Sequence, residues 1–312
     1  MLSNSFIHIP SIGRKTEEKI WESGIRTTEE FIKSQTNSIP PRTREKIINH
    51  INMSGSNAED PYHYYDHLPS SEQWRIFKRF QKYTAYIDIE TTGLDTYRDK
   101  ITTIALYDGE NIKHYVNGIN LDEFKEDIFD YKVIVTYNGK TFDVPFIESF
   151  FNIEISHCHL DLRYILKSLG YSGGLKSCEK QLGIGRGGDL DGVDGFMAVL
   201  IWNHYRRRKD KKALETLLAY NIEDVLNLEY LMITAYNKKI QGFPFDLDAL
   251  EIPLKKENPF EVDESIVNLY RKFSYSDLGI IHHIRHNFLD TILNRRRSNL
   301  NLKYFSGWDI YA

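Results

Sequence analysis

The chain has 312 residues, a formal net charge of −4 at pH 7 and 27% charged residues, a composition typical of a globular protein but rich in Tyr and Phe. This length predicts one large domain with one or two small ones, and no run of about 18 apolar residues marks a membrane span. The mildly acidic balance means that any nucleic-acid contact must come from local basic patches. No basic segment followed by an apolar core marks a signal peptide. Cys158 and Cys178 are the only cysteines and lack the paired spacing of a zinc site or a disulfide scaffold, so a reducing cytoplasm is the expected location.

Residues 1–56 read as short helices joined by sharp turns. Ile9-Pro10-Ser11-Ile12-Gly13-Arg14-Lys15-Thr16 precedes a helical pattern through Ile20 and Trp21. Ser23-Gly24 closes it, and Thr27-Thr28 caps a second helix through Phe31 and Ile32. The segment resembles a helix-hairpin-helix unit. Its Pro-x-Ile-Gly hairpin would offer backbone N–H groups at a helix N-terminus to a phosphate, making Gly13, Arg14 and Lys15 nucleic-acid contacts. A plain helical cap on the main domain accounts for the same residues. Ile39-Pro40-Pro41-Arg42 starts a further helix, as a degenerate second copy would. Residues 57–83 read as a linker and a short helix around Trp74, Phe77 and Phe80, with Tyr62, Tyr64 and Tyr65 assigned to packing.

Residues 84–238 carry the strand pattern of one α/β domain. Tyr86-Ile87-Asp88-Ile89-Glu90 is a strand ending at Gly93. Asp88 and Glu90 stand two apart, so both carboxylates point to one face, and a divalent cation would relieve their repulsion. Ile101 to Tyr107 and Ile112 to Val116 follow as strands, with Asp108-Gly109 as the hairpin signal. Leu121 to Phe129 reads as helix. Val133 to Tyr137 reads as a strand buried on both faces, so the order is that of a mixed sheet with helices packed on it.

Asn138-Gly139-Lys140 then leads into a helix capped by Thr141, with Asp143 in its first turn beside the C-terminal end of that strand. Ile155 to Leu160 reads as a strand, where His157 and His159 share a face and Cys158 does not. Gly173-Gly174 opens a helix, and would let a phosphate approach backbone with Lys176 beside it, or is simply a loop. Gly183 to Gly195 reads as a mobile loop. A helix from Phe196 to Arg206 ends in the charge run Arg206 to Lys212, either a solvated turn or a contact for a nucleic-acid backbone. The helix from Leu214 to about Ala235 places Tyr220 and Asp224 one turn apart on one face. Residues 239–312 read as a helical C-terminal extension of unknown role, with helices near 262–273 and 276–297. A basic stretch from Arg271 to Lys303 includes His282, His283 and His286.

Together, Asp88-x-Glu90 on a first strand, Asn138-Gly139-x-x-Phe142-Asp143 after a later strand and Tyr220-x-x-x-Asp224 on a late helix resemble the DEDD superfamily of ribonuclease H-like 3′–5′ exonucleases, tyrosine subclass. The pattern is similar to the proofreading domain of family B DNA polymerases, and more so to the stand-alone YprB-like family. His159-Leu160-Asp161-Leu162 extends it, and it covers about residues 84–235. The resemblance implies a ribonuclease H-like α/β fold with a mixed five-stranded sheet flanked by helices. It implies a catalytic set of Asp88, Glu90, Asp143, Tyr220 and Asp224 with two Mg²⁺ or Mn²⁺ ions. Asp88, Glu90 and Asp224 would hold one ion, Asp88 would bridge to the second, and Asp143 would support through water. Tyr220 would position the attacking water, because a phenol with a pKa of about 10 is a poor base. Asn138 and Lys140 would orient the substrate strand.

The implied function is hydrolysis from the 3′ end of single-stranded DNA or RNA, DNA favoured, releasing nucleoside 5′-monophosphates, with DNA repair as the setting. An RNA-trimming exoribonuclease or structure-directed endonuclease is the alternative. A non-catalytic nucleic-acid-binding module is the third reading, disfavoured because no acid is missing. Too few residues follow the domain for a polymerase, so proofreading in cis is not expected.

Overall fold

The structure, a computed structural model, describes residues 1–35, 37–53, 58–185 and 195–271. Its centre is a five-stranded sheet of order β3-β2-β1-β4-β5. The strands are β1 (Thr84–Thr91), β2 (Ile101–Tyr107), β3 (Ile112–Val116), β4 (Val133–Thr136) and β5 (Cys158–Asp161). β1, β2 and β3 pair antiparallel, and β4 and β5 add in parallel. This is the expected mixed sheet.

Alternation on the strands makes two cores. Ala85, Ile87 and Ile89 of β1 join Ile104, Leu106 and Ile134 on one face. Tyr86, Ala105, Tyr107, Val133 and Val135 form the other, which packs against a 30-residue helix introduced below. On that second face the apolar run of β1 stops after Tyr86, and the next two positions are Asp88 and Glu90. The strand register slips between Glu90 and Thr91, a bulge of the kind that re-aims side chains at sites.

The helices, in chain order, are α1 (Arg14–Glu22), α2 (Thr28–Lys33), α3 (Pro41–Met53), α4 (Pro61–Tyr65), α5 (Phe77–Phe80), α6 (Phe124–Asp127), α7 (Asp143–Phe151), α8 (Leu162–Lys167), α9 (Leu175–Gln181), α10 (Gly195–Arg208), α11 (Lys211–Ile240) and α12 (Glu264–Tyr270). α11 packs across β1, β2 and β4. It has an unbroken buried run from Thr216 to Glu229, so its polar residues there must find partners or a ligand. No described helix is long and apolar enough to cross a membrane.

Several local expectations hold. Thr27 closes a capping box with Glu30, and the Arg206–Lys212 charge run falls where α10 gives way to α11. Others change. Thr141 does not cap α7: the N-cap position is Phe142, and the Thr141 hydroxyl turns back to Asn138. The linker contains α4, started by Pro61 after the Asp60 cap. The C-terminal extension runs without helix from Gly242 to Asp263, and α12 then falls where the helix near 262–273 was expected. The expected helix at 276–297, the His282, His283 and His286 group, most of the basic stretch and most of the Gly183–Gly195 loop lie outside the described residues.

The N-terminal region is built into the molecule. Buried Arg75 donates to Glu17 and Glu72, and Arg14 also pairs with Glu72. Glu17 Oε1 accepts from the backbone N–H groups of Phe6 and Ile7 as well. Phe243, just past α11, packs on Trp21 with ring centroids 5.0 Å apart. Phe245 joins the same cluster. Removing one partner of a buried ion pair strands the other charge. Glu17→Ala is therefore expected to lower stability by about 3 kcal/mol, read from the denaturant midpoint. An unchanged midpoint would contradict the bracing role.

Candidate metal centre and cleft

β1 and α11 bring together what the sequence holds 134 residues apart or more. Asp88, Glu90 and Asp224 offer carboxylate oxygens that all lie within 4.8 Å of one another. Glu90 and Asp224 are buried, and Asp88 is half-buried at the edge of the cleft. Asp143, at the first position of α7, accepts from Ile89 N–H at 3.3 Å. It therefore sits against the same strand. Tyr220, buried on α11 one turn before Asp224, lines the cleft with these acids. The cleft measures about 1090 Å³, and Phe142, Leu175 and Phe196 give it apolar walls.

The electrostatics follow from the crowding. Burial, then the charges of Asp224, Asp143 and Glu90, push the Asp88 carboxyl well above the usual carboxylate range, against a hydrogen bond from Asn221. Burial pushes Asp143 up to about 7, although two backbone N–H groups hold it down. Three converging hard-oxygen donors whose mutual repulsion must be offset are a fitting set for Mg²⁺ or Mn²⁺.

Two residues behind the acids were given no role in the sequence reading, although Asp161 stood in the His159–Leu162 stretch of the resemblance. Asn221 Nδ2 donates to Asp88 Oδ2 at 2.7 Å and to Asp88 O at 3.1 Å, while its Oδ1 accepts from Thr103 Oγ1 at 3.0 Å. It ties the Asp88 carboxylate of β1 to Thr103 of β2 through one side chain. Its only local signal was a polar residue between Tyr220 and the apolar Ile222. Asp161 caps α8, and its carboxylate also accepts from Asn138 N–H at 2.8 Å and Lys140 N–H at 3.1 Å. It thereby holds the turn that delivers Asp143. In that turn Asn138 has φ 68°, and a Cβ on Gly139 would lie 2.2 Å from Thr136 Oγ1, so only glycine fits. A Cβ on Gly93 would meet the Asp99 carboxylate, with Oδ2 at 2.4 Å, and would displace that side chain.

The expected nucleic-acid residues divide. Asn138 lines the cleft. Lys176 Nζ sits 4.7 Å from the Tyr220 ring centroid, a cation–π contact at the site. Lys140 turns instead to Tyr65, with its Nζ 3.4 Å from the hydroxyl. Arg14 lines a separate cavity of about 360 Å³ beside Glu72 and Phe243, and Gly13 is the N-cap of α1 with exposed Lys15 behind it. His157 bonds the Ile128 carbonyl and His159 the Thr136 hydroxyl, which accounts for both as packed polar groups.

The mixed sheet and the helices packed on it form an RNase H-like α/β fold. Residues 85–236, just under half of the chain, match the family model of the RNase_H superfamily. Among solved structures, the chain is similar to the family B DNA polymerase from the hyperthermophilic archaeon Pyrobaculum calidifontis, at 15% identity and TM-score 0.32, over 50% of this chain and 29% of that one. It is also similar to Brucella melitensis NrnC bound to pGG, at 18% identity and TM-score 0.29, over 56% of this chain and 94% of that one. The same NrnC with bound Mg²⁺ gives 17% identity and TM-score 0.28 over the same shares. Comparison with curated proteins gave no significant match.

Two outcomes are expected. Asn221→Leu releases Asp88 and is expected to weaken Mn²⁺ binding about 10–100-fold in calorimetric titration, and unchanged affinity would contradict its role. Asp143 has its folded pKa raised to about 7 from the ordinary 3.8. Its stabilising contribution is therefore full below about pH 4 and lost as pH rises through 7. In metal-free protein, the melting temperature of Asp143→Asn should gain on that of the native chain across this window. A gap that does not widen with pH would contradict the assignment.

Proposed function

We propose that this chain is a metal-dependent 3′–5′ exonuclease acting on single-stranded ends, DNA before RNA, and releasing nucleoside 5′-monophosphates. The observation that carries the reading is the convergence of Asp88, Glu90 and Asp224, with Asp143 and Tyr220 beside them, in one open cleft. Asp88, Glu90 and Asp224 would hold Mg²⁺ or Mn²⁺, with Asp143 supporting a second ion. Bound in this way, a divalent pair supplies a lowered water pKa and neutralises charge on the attacked phosphate and the leaving 3′ oxygen.

The chain's own residues supply position. The Tyr220 hydroxyl, at the cleft wall, orients the attacking water by hydrogen bond, and Lys176 over its ring holds that ring in place. Asn221 keeps Asp88 aimed. Phe142, Leu175 and Phe196 offer apolar faces to unpaired bases, which stack on aromatic rings with little regard to sequence. Exposed Arg98 at the cleft rim suits the phosphate backbone.

End-labelled DNA and RNA oligonucleotides incubated with Mg²⁺ or Mn²⁺ test the reading. The expected product is a ladder shortened from the 3′ end, faster on DNA, abolished by Asp88→Asn. Tyr220→Phe is expected to lower kcat about 10²-fold with KM little changed. Internal fragments would favour an endonuclease, faster cutting of RNA an exoribonuclease, and full activity in Asp88→Asn would end the catalytic assignment.

A further inference from the structure

Away from the cleft, imidazoles gather where the N-terminal helices meet the linker. His63 lies in α4, and His67 follows one turn later, four residues on. His50 lies in the last turn of α3. Ring centroids are 5.7 Å apart for His50 and His63, 5.8 Å for His63 and His67, and 6.3 Å for His50 and His67. Three imidazoles on one tetrahedral ion, with nitrogens at about 2.0–2.1 Å, place their centroids about 5 Å apart. The observed triangle is about 1 Å wider than that figure.

The tautomer is also set for ligation. His67 Nδ1 faces the His63 carbonyl at 2.9 Å. A carbonyl only accepts, so Nδ1 carries the proton and Nε2 presents its lone pair. A metal-bound histidine ordinarily gives its other N–H to such a carbonyl. His8 backs the group, its ring 5.8 Å from His50, and its buried Nδ1 has no hydrogen-bond partner.

We propose that His50, His63 and His67 form a second metal site, for a borderline transition ion of the Zn²⁺ class, that staples α3 to α4. Hard Mg²⁺, which prefers oxygen, is not its ligand. Among the described residues only the acid trio already has its ligand atoms within 4.8 Å of one another, so loading turns the rings inward. His67 is exposed, so no packed side chain stands in the way of its ring as it tilts inward about the Nδ1–H bond to the His63 carbonyl.

The test uses the full chain stripped by chelator, with Co²⁺ absorption and Zn²⁺-dependent melting as readouts. The native chain, His67→Ala, His63→Ala/His67→Ala and Asp88→Asn/Asp224→Asn are compared. The proposal expects visible Co²⁺ bands and a Zn²⁺-induced rise in melting temperature in the native chain and in the acid variant. Both signals are lost in the double histidine variant, while His67→Ala alone keeps the native far-ultraviolet spectrum. The proposal is overturned if the native chain shows neither signal, if the double histidine variant keeps them, or if they disappear only with the acids.

Discussion

Like charge held at short range is the constraint on which this structure turns. Three carboxylates, from positions two residues apart on β1 and from the middle of α11, share a space less than 5 Å across. Burial withholds the water that would screen them, and the field of each raises the proton affinity of the next. A fold that tolerates this without a cation does so at a cost in stability. One that meets a divalent ion converts the cost into affinity. The architecture around the acids serves that convergence.

α11 must lie at a fixed height and rotation against β1, and it is held from several sides. Asn221 ties it to Asp88 and Thr103. The non-helical strap after it returns along the helix, where Lys255 reaches Glu223 and Asn227 and Asn258 donates to the Ala219 carbonyl. Phe243 and Phe245 anchor the start of that strap in the N-terminal core. The N-terminal helices therefore brace the C-terminal end of the helix whose middle carries Tyr220 and Asp224. Truncating them would disturb the brace as well as any surface they present, so loss of activity on deletion would not by itself reveal a docking role.

Much of this was legible because the two regular periodicities are short-range. Asp88 and Glu90 share a face by the period of two, and Tyr220 and Asp224 by the turn of a helix. The apolar run of β4 announced a strand covered on both sides, and order alone then gave the mixed sheet. That the two acid pairs meet is a long-range fact with no local pattern, and it was legible only through resemblance of the whole constellation. The roles of Asn221 and Asp161 had no local pattern because each works through hydrogen bonds to residues far away in sequence. Thr141 looked like a cap but is drawn to Asn138, whose left-handed backbone shapes the turn. Lys140 follows the same turn outward to Tyr65. The histidine cluster escaped because His50 comes from a separate helix, and only the spacing of His63 and His67 lies on the surface of the sequence.

The most direct test of the acid convergence is an anomalous-scattering map from a crystal of the native chain grown with Mn²⁺. The account predicts a Mn²⁺ peak bounded by the carboxylates of Asp88, Glu90 and Asp224, absent from crystals of Asp224→Asn under the same conditions. A native crystal with no peak at that position, or with Asp224 turned away from Asp88, would contradict it.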